Sequence, residues 1–402
     1  MTEIWALSAL WVGLALVATL ASIWLRVATA LSEIVVGTVA QLLIGALVGT
    51  ALLSTDAQWI KYLAGTGAIV LTFLAGAELD PEVFRRQWKE TSVIGLIGFF
   101  APFIGCAAAA YWLLGWEKEP SLLAGIAMST TSVAVVYAVM LEFGLNKTDY
   151  GKTILAACFI NDLGTVIGLG LLFAPFTLKT LVFVAGVVVA SFLLPWLTPR
   201  FFKRYGGRPS ELETKYLLLC LFGLGALAGW ADSEAVLPAY LVGMVLAGIV
   251  GKDHVLIRRL RTLTFGLLTP FYFIRAGSFV SVPALVAAPA AFLVMLLVKM
   301  ATKFAGIYPA TKAFGSPRQE GMYTTLLMST GLTFGTISSL FGLSHGIITQ
   351  AQYSALVAAV VGSAVIPTLI ANAWFLPRHL LPKPEQEPAA EPAPASRPAK
   401  QR

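Results

Sequence analysis

The chain has 402 residues, of which 57% are hydrophobic and only 12% charged, against about 25% charged in a soluble protein. Apolar runs recur from end to end, which excludes a soluble globular domain and predicts a polytopic, all-α membrane protein. The net charge of +7 does not point to nucleic acid, because the basic residues sit in short loops between apolar runs, where charge sets topology.

Thirteen spans are expected, near 4–25, 31–53, 58–79, 91–114, 120–143, 152–174, 177–197, 214–230, 234–251, 263–280, 284–308, 321–343 and 348–377. The start, Met1-Thr2-Glu3, lacks the basic residues of a cleavable signal, so the first span is expected to be retained. Cys106, Cys158 and Cys220 all fall in apolar runs. They imply no disulfide framework, and no zinc spacing occurs.

Lysine and arginine orient the chain. With the N-terminus outside, 22 of the 28 basic residues face the cytoplasm, and only Lys61, Lys118 and Lys179 face outward. That asymmetry predicts an inner-membrane protein with a cytoplasmic C-terminus. Residues 1–381 form the expected transmembrane domain. The Pro/Ala/Glu-rich stretch 382–402 reads as a disordered tail.

Two segments of the first half have counterparts in the second. Leu74-Ala-Gly-Ala-Glu-Leu-Asp80 closes span 3 as Ile274-Arg-Ala-Gly-Ser-Phe279 closes span 10. The run 35–45 likewise resembles 237–248. Spans 1–6 are thus expected to recur as spans 8–13. The connector, span 7 at 177–197, inverts the second six-helix repeat, a topology common in secondary transporters.

Span 6, Thr153 to Phe173, carries the pair Asn161-Asp162 in an otherwise apolar, small and hydroxyl run. An aspartate at mid-membrane costs roughly 2.5–3.5 kcal/mol on insertion scales. A chain that keeps one usually binds or relays an ion with it; the alternative is a structural carboxylate hydrogen-bonded inside the bundle.

Span 5 carries Ser129, Thr130, Thr131 and Ser132 in succession. Span 12 carries Ser329, Thr330, Gly331, Thr333 and Thr336, with Ser338 and Ser339 beyond. Such clusters weaken a helix, and broken helices at matching places of two halves point to a transporter's site. The alternative is that small residues merely allow close packing. Lys299 and Lys303 stand one turn apart in span 11. A lysine facing Asp162 offsets the burial cost of the carboxylate, and snorkelling to the membrane edge is the alternative.

The Asn-Asp pair, the Ser/Thr-rich break, Lys303-Phe-Ala-Gly306 and the ends of spans 3 and 10 together resemble the monovalent cation–proton antiporter superfamily. The likeness is to its thirteen-helix form, which includes bacterial sodium–proton exchangers and Kef-type potassium–proton systems, and covers about residues 5–377.

The resemblance implies that Asp162 is the ion-binding carboxylate and that Asn161, in place of a first Asp, marks an electroneutral member. It implies that Thr131 and Ser132 complete the ion's shell and that Lys303 is the basic residue of span 11. Thr130, Ser329, Thr330 and Thr333 are supporting candidates. It further implies crossed breaks in spans 5 and 12 and a homodimer. In that arrangement a core (91–174 and 284–377) slides against a dimer-forming scaffold (1–80 and 214–280).

The sequence departs from the family pattern around Lys303. Asn161 removes the carboxylate with which such a lysine pairs in two-aspartate members. Ala157 and Cys158 stand where Asn-Asp exchangers carry a partner Glu.

The expected activity is exchange of Na+ or K+ for H+ with no cofactor, and with cations, protons and lipid as partners. Hard cations suit the carboxylate, amide, hydroxyl and carbonyl oxygens gathered here. A sodium-coupled symporter of an organic anion needs further basic groups for the anion, and a channel needs a continuous pore. An intramembrane hydrolase needs motifs the sequence lacks.

Among other charges, Glu78 and Asp80 are expected at the interface beside Arg85 and Arg86. Glu33 is also expected to be interfacial, and Glu142 to stand at the cytoplasmic mouth. Arg275 is expected to pair with Asp232 or Glu234, and His345 to be a bystander near the end of span 12.

Overall fold

The computed structural model describes residues 2–25, 29–47, 53–77, 81–173, 177–208, 210–231, 233, 235–287 and 289–381. Every regular element among them is helical. The first half comprises α1 (Thr2–Leu25), α2 (Thr29–Leu47), α3 (Gln58–Ala77), α4 (Pro81–Arg86), α5 (Trp88–Trp112), α6 (Lys118–Ser129), α7 (Val133–Glu142), α8 (Asp149–Phe173) and α9 (Leu178–Tyr205). There follow α10 (Leu212–Trp230), α11 (Val236–Leu246), α12 (His254–Leu263), α13 (Thr269–Ser278), α14 (Val282–Ala287), α15 (Pro289–Ala313), α16 (Arg318–Met328), α17 (Thr333–Ser344) and α18 (Gln350–Ile370).

Among the described residues, nine helical stretches are long and apolar enough to cross a membrane, with α16–α17 counted as one. The other four expected spans fall on helices outside those nine. These are α2, the pair α6–α7, α11, and α13 with the π-helical turn Thr264–Leu268 before it. The basic stretch expected as a loop near 252–262 instead forms α12, whose Leu256, Ile257 and Leu260 are buried on one face. Asp253 caps it, accepting from the backbone N–H groups of Val255 and Leu256 at 3.1 and 3.0 Å.

Two packing themes divide the molecule. In one, α2 lies against α13 and α3 against α11 with backbones nearly touching. A Cβ on Gly277 would stand 3.0 Å from the Cα of Ile34, and one on Gly243 would stand 3.0 Å from the Ala77 nitrogen. Only glycine permits that approach, the small-residue packing expected of helices in lipid. Thr38 Oγ1 fastens the first seam by donating to the Gly277 carbonyl at 2.9 Å.

Glu33 sits on the first turns of α2, beside this seam. It is 2% exposed, buried in the helix packing next to Ile34, whose backbone Gly277 of α13 approaches.

In the other theme, α5 packs on α6, α8 and α15, and α15 packs on α16 and α18. Here α6–α7 and α16–α17 are each interrupted, at residues 130–132 and 329–332. Hydroxyls at each break turn back onto their own helix. Ser129 and Thr130 donate to the Ile126 and Ala127 carbonyls at 2.8 and 3.1 Å, and Ser329 and Thr330 to Thr325 and Leu327, both at 2.7 Å. Such bonds satisfy carbonyls that a broken ladder leaves open. The second interruption is shorter than the hydroxyl run suggests, since Thr333, Thr336, Ser338 and Ser339 all lie within α17.

Glu78, Asp80, Asp232, Glu234 and the tail 382–402 lie outside the described residues, as does the side chain of Glu142. Arg275 donates from Nε to the Thr55 carbonyl at 2.9 Å and lies 3.9 Å from Asp56. His345 ends α17, where its Nδ1 is 3.0 Å from the Phe341 carbonyl.

Candidate functional site

The two interruptions meet. The backbone N–H of Ser132 donates to the Thr330 carbonyl at 3.1 Å, and Thr131 Oγ1 donates to the Met328 carbonyl at 2.8 Å. The unwound stretches thus satisfy each other where neither has an intrahelical partner. Thr130, Thr131, Ser132, Ser329 and Thr330 are all buried here. Thr333, at the first position of α17, is also buried, but among the described residues it joins none of the hydrogen bonds that tie the crossing together.

Helix α8 passes beside the crossing. Its start is held by Arg86, which pairs with Asp149 at 2.6 Å, and by Thr153, which donates to Gln87. One turn before the Asn-Asp pair, Cys158 Sγ reaches Met328 Sδ at 3.5 Å, joining α8 to the end of α16. Gly98 of α5 makes room for Asn161, since a Cβ there would stand 3.3 Å from Asn161 Nδ2 and 3.4 Å from Met328 Cε.

Asn161 is 0% and Asp162 1% exposed. Among the described residues, Asn161 Nδ2, Asn161 Oδ1 and Asp162 Oδ1 are all buried without a hydrogen-bond partner. A buried polar atom left in this way costs about 1–3 kcal/mol, and a charged one more. Three such atoms on adjacent residues call for an explanation, and a bound ion or water is one that fits.

Both lysines of α15 point into the crossing, each 0% exposed. Snorkelling is therefore ruled out for either. Lys303 Nζ donates to Thr131 Oγ1 at 2.9 Å, and Lys299 Nζ donates to the Thr130 carbonyl at 3.2 Å. Among the described residues neither ammonium forms an ion pair with Asp162 within 4.0 Å. The partner that the sequence did not supply for Lys303 is thus a threonine hydroxyl of the break.

Two further features escaped the sequence. Tyr240 of α11, fully buried, donates its hydroxyl to the Phe159 carbonyl of α8 at 2.9 Å and packs edge-on against Phe334 of α17. This links the glycine seam to the crossing. The second is a cavity of about 320 Å³ lined by Glu90, Tyr150, Glu320 and Thr324, and by Ile94 and Ala157. Ala157 lies one helical turn before Asn161, and Ile94 one turn before Gly98. Part of the cavity wall therefore lies one helical turn along α8 from the buried pair.

Comparison with known proteins bears on the family and the fold. The model of the family described as "Sodium/hydrogen exchanger, transmembrane" matches residues 13–375. A probable Na(+)/H(+) antiporter 3 of Methanocaldococcus jannaschii is 24% identical over 345 residues, 82% of this chain and 87% of that protein. The Na(+)/H(+)-K(+) antiporter GerN of Bacillus cereus is 21% identical over 343 residues, 81% of this chain and 86% of its own length. The glutathione-regulated potassium-efflux system protein KefC of an Enterobacter species is 27% identical over 79% of this chain, which spans 53% of that longer protein. In fold, the sodium proton antiporter MjNhaP1 of M. jannaschii, solved at pH 8, superimposes with a TM-score of 0.67 at 14% identity, covering 92% of this chain and 96% of that one. With the match extending over nearly every helix described above, the chain belongs to the transmembrane sodium/hydrogen exchanger family.

Proposed function

We propose that this protein is a membrane-embedded antiporter that exchanges a monovalent cation, Na+ or K+, for H+, with Asp162 holding one or the other in turn. The observation that carries this reading is the buried Asn161-Asp162 pair, with three polar atoms that have no partner among the described residues, beside two interrupted helices. A carboxylate in that position is neutralised either by a proton or by a cation stripped of part of its water. The two ligands compete, and if the site crosses only when neutralised, exchange follows.

Asn161 supplies an amide oxygen, and Thr131, Ser132 and the open carbonyls of the breaks supply further hard ligands. Lys303, resting on Thr131 rather than on Asp162, leaves the carboxylate to the cargo.

One titrating carboxylate in the pair implies one proton per cation and hence electroneutral exchange. The relatives named as Na(+)/H(+) and Na(+)/H(+)-K(+) antiporters support the ion class.

The finer architecture follows the same reading: thirteen crossings, N-terminus outside, a core moving against a scaffold in a homodimer. The seams favour the inverted repeat. Exchanging the segments matched by sequence turns the α2–α13 contact into the α11–α3 contact, and both are glycine-lined. The acidic cavity near α8 serves as the cytoplasmic approach.

The test is an ion-substitution series in proteoliposomes containing a pH dye. Added Na+ or K+ is expected to drive proton efflux, at a rate unchanged when a potassium–valinomycin clamp sets the voltage. Proton flux without added cation favours a channel, and a voltage-dependent rate refutes the one-for-one stoichiometry.

A further inference from the structure

Lys299 is not the lysine that the family motif marks, yet it is fully buried at the crossing. Its ammonium bonds the Thr130 carbonyl at 3.2 Å, just past the end of α6. It also fills the space over Gly331 in the second interruption. A Cβ at Gly331 would collide with it and would stand 3.1 and 3.2 Å from Thr130 Oγ1 and Ser363 Oγ. The nitrogen thus sits against the break itself, bonded to the Thr130 carbonyl, and the Thr130 and Ser363 hydroxyls border the same space over Gly331. Helix α6 presents the negative end of its dipole there. Those are the ligands and the field that a monovalent metal cation seeks. Lys303, one turn on, donates instead to the Thr131 hydroxyl.

We infer that Lys299 is a tethered cation: its ammonium permanently fills a second cation place at the crossing and lowers the affinity of the Asp162 place for the transported ion. The inference rests on the antiport reading above and deepens it. The two lysines divide the work. Lys303 holds the Thr131 hydroxyl beside the cargo, and Lys299 sets the local positive charge against which the cargo binds and withholds the Thr130 carbonyl from it. A specificity-setting charge of this kind makes an unusual demand. Removing it tightens binding, whereas removing a merely structural contact loosens it.

The experiment reads cation binding apart from transport. Purified wild-type protein and Lys299→Gln are titrated with NaCl and KCl at fixed alkaline pH and constant ionic strength, and the cation concentration giving half-maximal thermal stabilisation is recorded. The midpoint is expected to fall about three- to tenfold in Lys299→Gln, the size of effect of one nearby charge partly screened by its surroundings. In proteoliposomes KM falls in parallel, and Lys299→Arg, which keeps the charge, stays near wild type. Ser363→Asp, which places an anion beside the ammonium without deleting it, lowers the midpoint as well. A midpoint unchanged or raised in Lys299→Gln overturns the inference. So does loss of binding in both neutralising variants that Lys299→Arg restores, since that is the mark of a structural lysine. The antiport reading fails by a different result, a silent wild-type protein in proteoliposomes that nonetheless binds cation.

Discussion

The seam between α3 and α11 and the crossing between α6–α7 and α16–α17 are both places where helices touch closely, and they solve opposite problems. At the seam, Gly76 and Gly243 let backbones meet, and close packing of small residues replaces the hydrophobic drive that lipid does not provide. At the crossing the backbone is opened, hydroxyls and carbonyls are turned inward, and polar atoms of Asn161 and Asp162 have no partner among the described residues. One contact is built for rigidity, and the other keeps polar capacity in reserve at a cost of a few kcal/mol. A transporter needs both: a fixed surface, and a site whose stability depends on what it carries.

The comparison breaks first at the seam. Gly243→Leu drives a side chain into the backbone at Phe73 and Ala77. It is expected to lower stability by about 3 kcal/mol or more, since backbone has no rotamer with which to give way. The measurement is the thermal unfolding midpoint of the purified protein. A folded, unshifted Gly243→Leu contradicts the close contact.

Thr131→Val strikes the crossing. It removes both the acceptor of Lys303 and the donor to the Met328 carbonyl, a loss of about 1–3 kcal/mol for a buried group left unpaired. Exchange is expected to drop about tenfold or more, while unfolding shifts less than in Gly243→Leu. Equal damage to both quantities would merge the two regions into one structural core.

Between the regions stands Tyr240. Tyr240→Phe deletes one buried hydrogen bond to α8, about 0.5–1.5 kcal/mol. If the crossing moves past the seam, the turnover rate changes by a few-fold with the cation KM held. A changed KM with turnover constant would place the tyrosine in ion binding instead.

The smallest effect is expected at the surface. His379 pairs with Glu320 at 2.9 Å where the histidine is 54% exposed, and exposed pairs contribute about 0–1 kcal/mol. His379→Ala is expected to leave exchange within about twofold.

Much of the crossing was legible in the residues. A lone carboxylate in an apolar run, and hydroxyls in succession at mid-span, are costly enough to stand out, and the interruptions at 130–132 and 329–332 lie inside the stretches expected to break. What the lysines touch was not legible. Lys299 and Lys303 find Thr130 and Thr131 about 170 positions away, a pairing fixed by how two helices cross rather than by spacing along one. Nor does the position of Glu33 at the start of a span show that its neighbours bury it to 2% exposure. The amphipathic α12 was passed over because a cluster of arginines reads as a loop between spans, although its apolar face is plain once the helix is drawn.

The central claim is tested most directly by Asp162→Asn reconstituted beside the wild type. The substitution keeps the shape of the side chain and removes only its ability to carry charge. With the variant folded, Na+- or K+-driven proton efflux should fall to the level of protein-free liposomes. Exchange persisting near the wild-type rate would mean that another group carries the proton and the cation.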